Sequence, residues 1–127
     1  MIVSFEGLQF TADHNWVRIG GDTARIGITA CFAERLTGLC EVRLPRLGEQ
    51  VQHLAPCGLL ATSYWTGDLF TPVTGTVTGV NQRVIDAPEL VRADPYGAGW
   101  LFEADLADQP ARLLDGLSYL ELTSQYT

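Results

Sequence analysis

Apolar residues in this chain come in runs of only four to six, and nearly every run is closed by Gly, Pro or an Asp/Asn cluster. Segments 16–19, 24–28, 41–44, 59–64, 75–80 and 99–103 are rich in Val, Ile, Leu and aromatics. Such side chains suit a pleated, half-buried surface, and runs this short with turn residues between them read as strands. Pro45, Gly48, Pro56, Pro72, Gly75 and Pro88 punctuate the rest. The chain is therefore held to a mainly β architecture of short strands. Between the first two segments, Gly20, Gly21, Asp22 and Thr23 supply residues that tolerate positive φ, which a tight hairpin needs.

Three places depart from strand grammar. Thr29 can cap a helix over 30–36, where Phe32, Leu36 and Leu39 recur at helical spacing. Asp86 can cap a short helical turn holding Pro88, Glu89, Leu90 and Val91, with Pro tolerated in the first turn. In 108–121, Leu113, Leu114, Leu117 and Leu120 make one apolar stripe, which predicts a C-terminal helix packed on the core. The two halves of the chain share hydrophobic alternation but no recognisable internal repeat.

A chain of 127 residues suits a single domain, 1–127. At that size roughly two thirds of the unfolded surface is buried on folding. The net charge of −7 is spread along the sequence, which argues against binding a phosphate backbone, so no nucleic-acid partner is expected. The first ten residues interleave Ser4, Glu6 and Gln9 with apolar ones and have no basic start, so no secretory signal is expected. No stretch approaches the ~20 apolar residues that span a bilayer, and no membrane association is expected. The three cysteines, Cys31, Cys40 and Cys57, match no zinc spacing. They read as reduced thiols of a cytoplasmic protein, each serving as a small buried hydrophobe.

His14 and His53 have no spaced ligand partners, so no metal site is expected. Arg46, Arg83 and Arg92 fall in predicted loops, where Arg can pair with a partner's carboxylates or simply be solvated. Neither a carboxylate pair nor a Ser/His/Asp arrangement nor a phosphate loop is present, which argues against an enzyme with catalytic residues of its own.

From Phe10 to about Leu122 the chain resembles the H protein of the glycine cleavage system. His14, Asn15, Trp16 and Val17 stand where that family has His-Glu-Trp-Val, and Gly27, Ile28 and Thr29 match its Gly-Ile-Thr helix start. Leu44, Pro45 and Gly48 match a Leu-Pro-x-x-Gly turn; Thr71, Pro72, Val73, Thr74 and Gly75 match a second turn. Most specific are Val80 and Asn81, then Pro88 to Val91, then Asp94, Pro95, Tyr96, Gly97, Ala98, Gly99, Trp100 and Leu101. The resemblance implies a barrel-sandwich hybrid of the lipoyl and biotinyl carrier type, with short flanking helices, and a monomer.

In the family a β-hairpin tip presents a lysine, four residues before an Asp, and lipoate is attached there as a swinging arm. Taking Asp68 as that Asp places Tyr64 at the lysine position. The tip reads Ala61, Thr62, Ser63, Tyr64, Trp65, Thr66, Gly67 and Asp68, and the whole chain has no lysine at all. A phenol or guanidinium does not replace a primary amine, so covalent lipoate is not expected and no cofactor is assigned. Thr62, Ser63, Trp65 and Asp68 are the tip's contact candidates, and the two aromatics can either dock on a partner or pack on the domain itself.

The expectation is a non-lipoylated relative that binds glycine cleavage or lipoate-handling enzymes without carrying an arm. The alternatives are a carrier that uses Tyr64, Ser63 or a cysteine for another attachment or for sulfur transfer, and a decayed paralogue.

Overall fold

A computed structural model describes residues 7–11, 13–107 and 113. It contains nine strands and three short helices among those residues. The strands are β1 (Leu8–Phe10), β2 (Asn15–Gly20), β3 (Thr23–Ile28), β4 (Glu41–Arg43), β5 (Gln50–Val51), β6 (Pro56–Ala61), β7 (Thr66–Phe70), β8 (Gly75–Val80) and β9 (Phe102–Leu106). The helices are α1 (Ala30–Ala33), α2 (Gln82–Asp86) and α3 (Glu89–Ala93). A six-stranded sheet runs in the order β1-β2-β3-β9-β8-β5, and a three-stranded sheet in the order β4-β6-β7. Every pairing is antiparallel.

Alternation explains how the two sheets share a core. Val17, Ile26, Phe102 and Ala104 of the large sheet and Val42, Leu60 and Leu69 of the small one belong to a single buried cluster, closed by Val84 of α2 and Val91 of α3. This is the expected mainly β barrel-sandwich hybrid with short helices on its flank. A smaller cluster of Leu8, Phe10 and Trp16, covered by Tyr96 and Trp100, ties β1 and β2 to the loop before β9.

The hairpin between β2 and β3 turns on two residues, Gly21 and Asp22, with Gly20 paired to Thr23. Only Gly21, at φ +63°, needs the left-handed region, as in turns that put Gly at the first central position.

Several local expectations are corrected. The segment 59–64 is not one strand: β6 ends at Ala61, because the Thr62 side chain draws the next amides into a turn. The segment 99–103 shifts by three residues to β9, since its first part is held in a loop by Asp94 and Asn81. Strands β1, β5 and β7 were not anticipated. Thr29 does cap α1, accepting from the Phe32 amide at 3.4 Å, but the helix closes after Ala33. Beyond that point Arg35 and Leu36 donate three residues back, to Phe32 and Ala33, and the turn tightens.

Asp86 caps nothing. It is the last residue of α2 and accepts from Gln82 Nε2 at 3.1 Å, while Pro88 takes the N-cap position of α3. Asn81 is the capping residue instead, accepting from the Arg83 amide at 3.2 Å. Arg83 and Arg92 lie in α2 and α3, and Arg46 alone of the three is in a loop. The thiols are less buried than expected: Cys40 is exposed, and Cys31 and Cys57 are half-buried. The helix anticipated over 108–121 lies outside the described residues, apart from Leu113, which packs on the core.

Candidate functional site

Strands β6 and β7 form a hairpin whose last pair is Ala61 with Thr66, leaving Thr62, Ser63, Tyr64 and Trp65 as the tip. The tip is built by one side chain. Thr62 Oγ1 accepts from the amides of Tyr64 at 3.2 Å and Trp65 at 3.0 Å, and the Thr62 amide donates to the Trp65 carbonyl at 2.7 Å. Short hydroxyl-to-backbone bonds of this kind offer the chain a turn in place of a ladder.

The two aromatics then part company. Tyr64 is 97% exposed and points into solvent, at the position where the resemblance implies a lysine. Trp65 is 45% exposed and turns back onto the domain. Its ring meets Phe32 of α1 edge-on, with centroids 6.3 Å apart at 73°, and lies over Gly67, where a Cβ would collide with it. Exposure and self-packing are thus divided between neighbouring residues. Edge-to-face pairing of this sort adds ~1 kcal/mol beyond area burial.

Phe32 is also met by His14, centroids 6.1 Å apart. His14 sits at φ 67° in the turn between β1 and β2, and its carbonyl accepts from the Thr29 amide at 2.9 Å beside the start of α1. Burial, and then the positive charge of Arg35, push its pKa below the ordinary histidine value, with Asp13 opposing. His14 is therefore a structural neighbour of the tip that favours its neutral form.

The remaining candidates separate. Ser63 is exposed at the tip, and Asp68 is exposed on β7, opposite Leu59. Cys57 lies where the β6–β7 register shifts, between Pro56 and Gly58. Burial, reinforced by Glu49, pushes its thiol up to about 12, which removes the thiolate a sulfur carrier needs. Cys40 is nearer the tip, with its amide bonded to the Ala61 carbonyl at 2.9 Å. His53 is in the loop between β5 and β6. Among the described residues no group of three His, Cys, Asp or Glu could hold a metal ion.

Residues the sequence did not mark as part of the tip border it. Phe32, Arg35 and Leu36 join Thr62 and Trp65 in lining a cleft of about 280 Å³ beside the tip. Phe32 and Leu36 had read as an ordinary helix stripe, and nothing local connects position 35 with position 65. Only the packing of α1 against the hairpin brings them together.

Away from the tip, the loop from Asp94 to Leu101 is held by distant groups. Trp16 Nε1 donates to the Pro95 carbonyl at 2.8 Å, and Asn81 Nδ2 donates to the carbonyls of Ala98 at 2.8 Å and Trp100 at 2.7 Å. The Tyr96 hydroxyl accepts from the Ala30 amide at 3.0 Å, at the start of α1. The most distinctive motif of the sequence is therefore a clamp on the scaffold that carries α1.

The chain matches the family model described as glycine cleavage H-protein over residues 8–126. It is 42% identical over 116 residues to the glycine cleavage system H protein of Thermobifida fusca (strain YX), covering 91% of this chain and 92% of that one. Against the glycine cleavage system H protein of Beutenbergia cavernae it is 44% identical over 116 residues, covering 91% and 93%. The crystal structure of a glycine cleavage system H protein from Mycobacterium marinum superposes with a TM-score of 0.87 at 34% identity, covering 93% of this chain and 97% of that one.

Proposed function

Because the chain belongs to the glycine cleavage H-protein family, whose members are carriers and not enzymes, we propose that it is a non-lipoylated member that works by contact. It docks through its hairpin tip on glycine cleavage or lipoate-handling enzymes and presents no arm. The observation that carries this reading is Tyr64, 97% exposed at the tip of a chain that has no lysine. An exposed aromatic on a two-χ side chain loses little entropy on binding and fits the anchor role that Tyr often plays in interfaces.

The protein acts as a monomer in the cytoplasm, without covalent lipoate. No helix among the described residues is long and apolar enough to cross a membrane. Titration of the purified chain against the glycine cleavage enzymes and a lipoate ligase tests the reading. Binding at micromolar concentration that Tyr64→Ala weakens is expected, and no binding to any of them defeats it.

The same exposure leaves the phenol open to modification, which keeps a carrier with another attachment chemistry as the second reading. Intact mass of the chain from its own cell decides between the two: an unmodified mass supports contact alone, and an added mass mapped to residues 61–68 supports the carrier.

A further inference from the structure

At the end opposite the tip, the hairpin springs from a strained turn. Leu54, in the loop between β5 and β6, stands at φ 67°, a left-handed backbone that crowds a bulky side chain and that Gly or Asn adopts at little cost. The turn is locked from several sides. The Leu54 amide donates to the Thr71 carbonyl at 2.9 Å, the Thr71 amide to the Ala55 carbonyl at 3.2 Å, the Ala55 amide to the Gln52 carbonyl at 2.8 Å and the His53 amide to Thr74 Oγ1 at 3.0 Å. Yet the side chain held there is 56% exposed. Phe70, one residue before Thr71, is 40% exposed and pairs with the exposed Pro56. Three apolar side chains thus meet water at the base of the hairpin, one of them on a backbone that disfavours it. Residues fixed in such conformations by rigid surroundings cluster at binding and switch regions.

The charges around this patch are acidic. Thr66, Asp68 and Phe70 alternate as the exposed residues of β7, running from the tip to the patch. Across the sheet from Asp68, beyond Leu59, the Arg43 guanidinium is engaged by Glu41. Glu49 supplies a second carboxylate, close enough to Cys57 to push up its thiol.

We propose that Leu54 and Phe70 form a second anchor of the docking surface, received by an apolar pocket rimmed with Lys or Arg on the protein that takes Tyr64. The apolar pair fits the pocket, and Asp68 with Glu49 matches the basic rim; a second copy of this chain, bearing the same carboxylates, would bring like charges together. The five residues of β7 span ~13 Å, so both anchors fall within one interface of ordinary size, roughly 800 Å² per partner. This inference rests on the reading that the chain works by contact and adds the second place and its chemistry.

Titration calorimetry against the glycine cleavage enzymes and a lipoate ligase, with urea unfolding of each variant, tests it. Leu54→Asn should hold or raise the urea midpoint, because Asn tolerates the left-handed backbone, while weakening binding about tenfold or more. Phe70→Ser should weaken binding too, and Asp68→Asn should make it less sensitive to salt. If the parent binds and both Leu54→Asn and Phe70→Ser bind as tightly, the second anchor is overturned and Tyr64 alone carries the docking. A fallen urea midpoint in Leu54→Asn also overturns it, since the side chain would then be packing on its own domain. If Tyr64→Ala binds like the parent while Leu54→Asn does not, the anchor stands and the tip reading falls; if the parent binds none of these enzymes, both fall.

Discussion

Two turns at strand ends are built on opposite principles. The loop leading into β9 is fixed by residues far away in sequence, through Trp16, Asn81 and the Tyr96 hydroxyl. The hairpin tip is fixed by Thr62 alone, and its aromatics either reach into solvent or lean on Phe32. Substitutions in the first loop must disturb several elements at once, while position 64 at the tip, exposed and in no contact with the scaffold's core, can exchange its side chain at little cost. A family fold can therefore persist here without the residue that elsewhere bears the arm.

The sharpest way to break this contrast is Gly27→Ala. A Cβ at Gly27 would run into the fully buried Trp16 ring, which is pinned through Nε1 to Pro95, so it cannot easily move aside. A loss of ~3 kcal/mol or more in urea unfolding is expected for so severe an overpacking. A near-neutral result would mean that the clamp is loose. Asn81→Ala comes next, because it strands two carbonyls and an amide that the buried side chain satisfies. Its expected cost is ~2–3 kcal/mol, read in the same experiment.

At the other end of the comparison, Tyr64→Ala should change unfolding free energy by less than ~0.5 kcal/mol. The same variant should weaken partner binding by about tenfold or more, measured by titration calorimetry. A large stability loss without any binding defect would reverse the assignment of the tip as a contact surface.

The smallest effect concerns pH at the join of the two regions. The folded pKa of His14 lies below its ordinary value of 6.5, so as pH falls the unfolded chain takes up the proton first. The contribution of His14 to stability is fully present above that value and is lost as pH drops through the folded pKa. Urea midpoints compared near neutral pH and in mild acid should therefore fall less for His14→Asn than for the parent. Asn is the apt replacement because it tolerates the left-handed backbone at this position. Equal pH slopes in the two proteins would show that His14 does not carry the effect.

Much of the fold was legible where local and tertiary preferences agree. Strand β8 matched its apolar run at both ends, and the Gly21 turn and the Thr29 cap formed as their chemistry suggested. Strands β5 and β7 were missed because two residues, or a segment with Gly67 and Asp68, show no periodicity, and their pairing partners alone make them strands. The Asp86 cap failed because Asp86 is drawn into the last turn of α2, where its carboxylate accepts from Gln82, and α3 begins after Pro88 with no side-chain cap. At the tip, the sequence identified Tyr64 and its missing amine; it offered no sign that position 35 completes a cleft with position 65.

By itself, the sequence determined the short-strand β character, the family scaffold and the absence of a primary amine on any side chain, since each depends on composition, spacing or residue identity. Only the tertiary structure decided that Tyr64 faces water while Trp65 leans on Phe32, and that Arg35 lines the cleft beside them. Exposure and pairing depend on which surfaces meet across the fold, and α1 and the hairpin tip, about thirty residues apart in the chain, meet only once the core has closed.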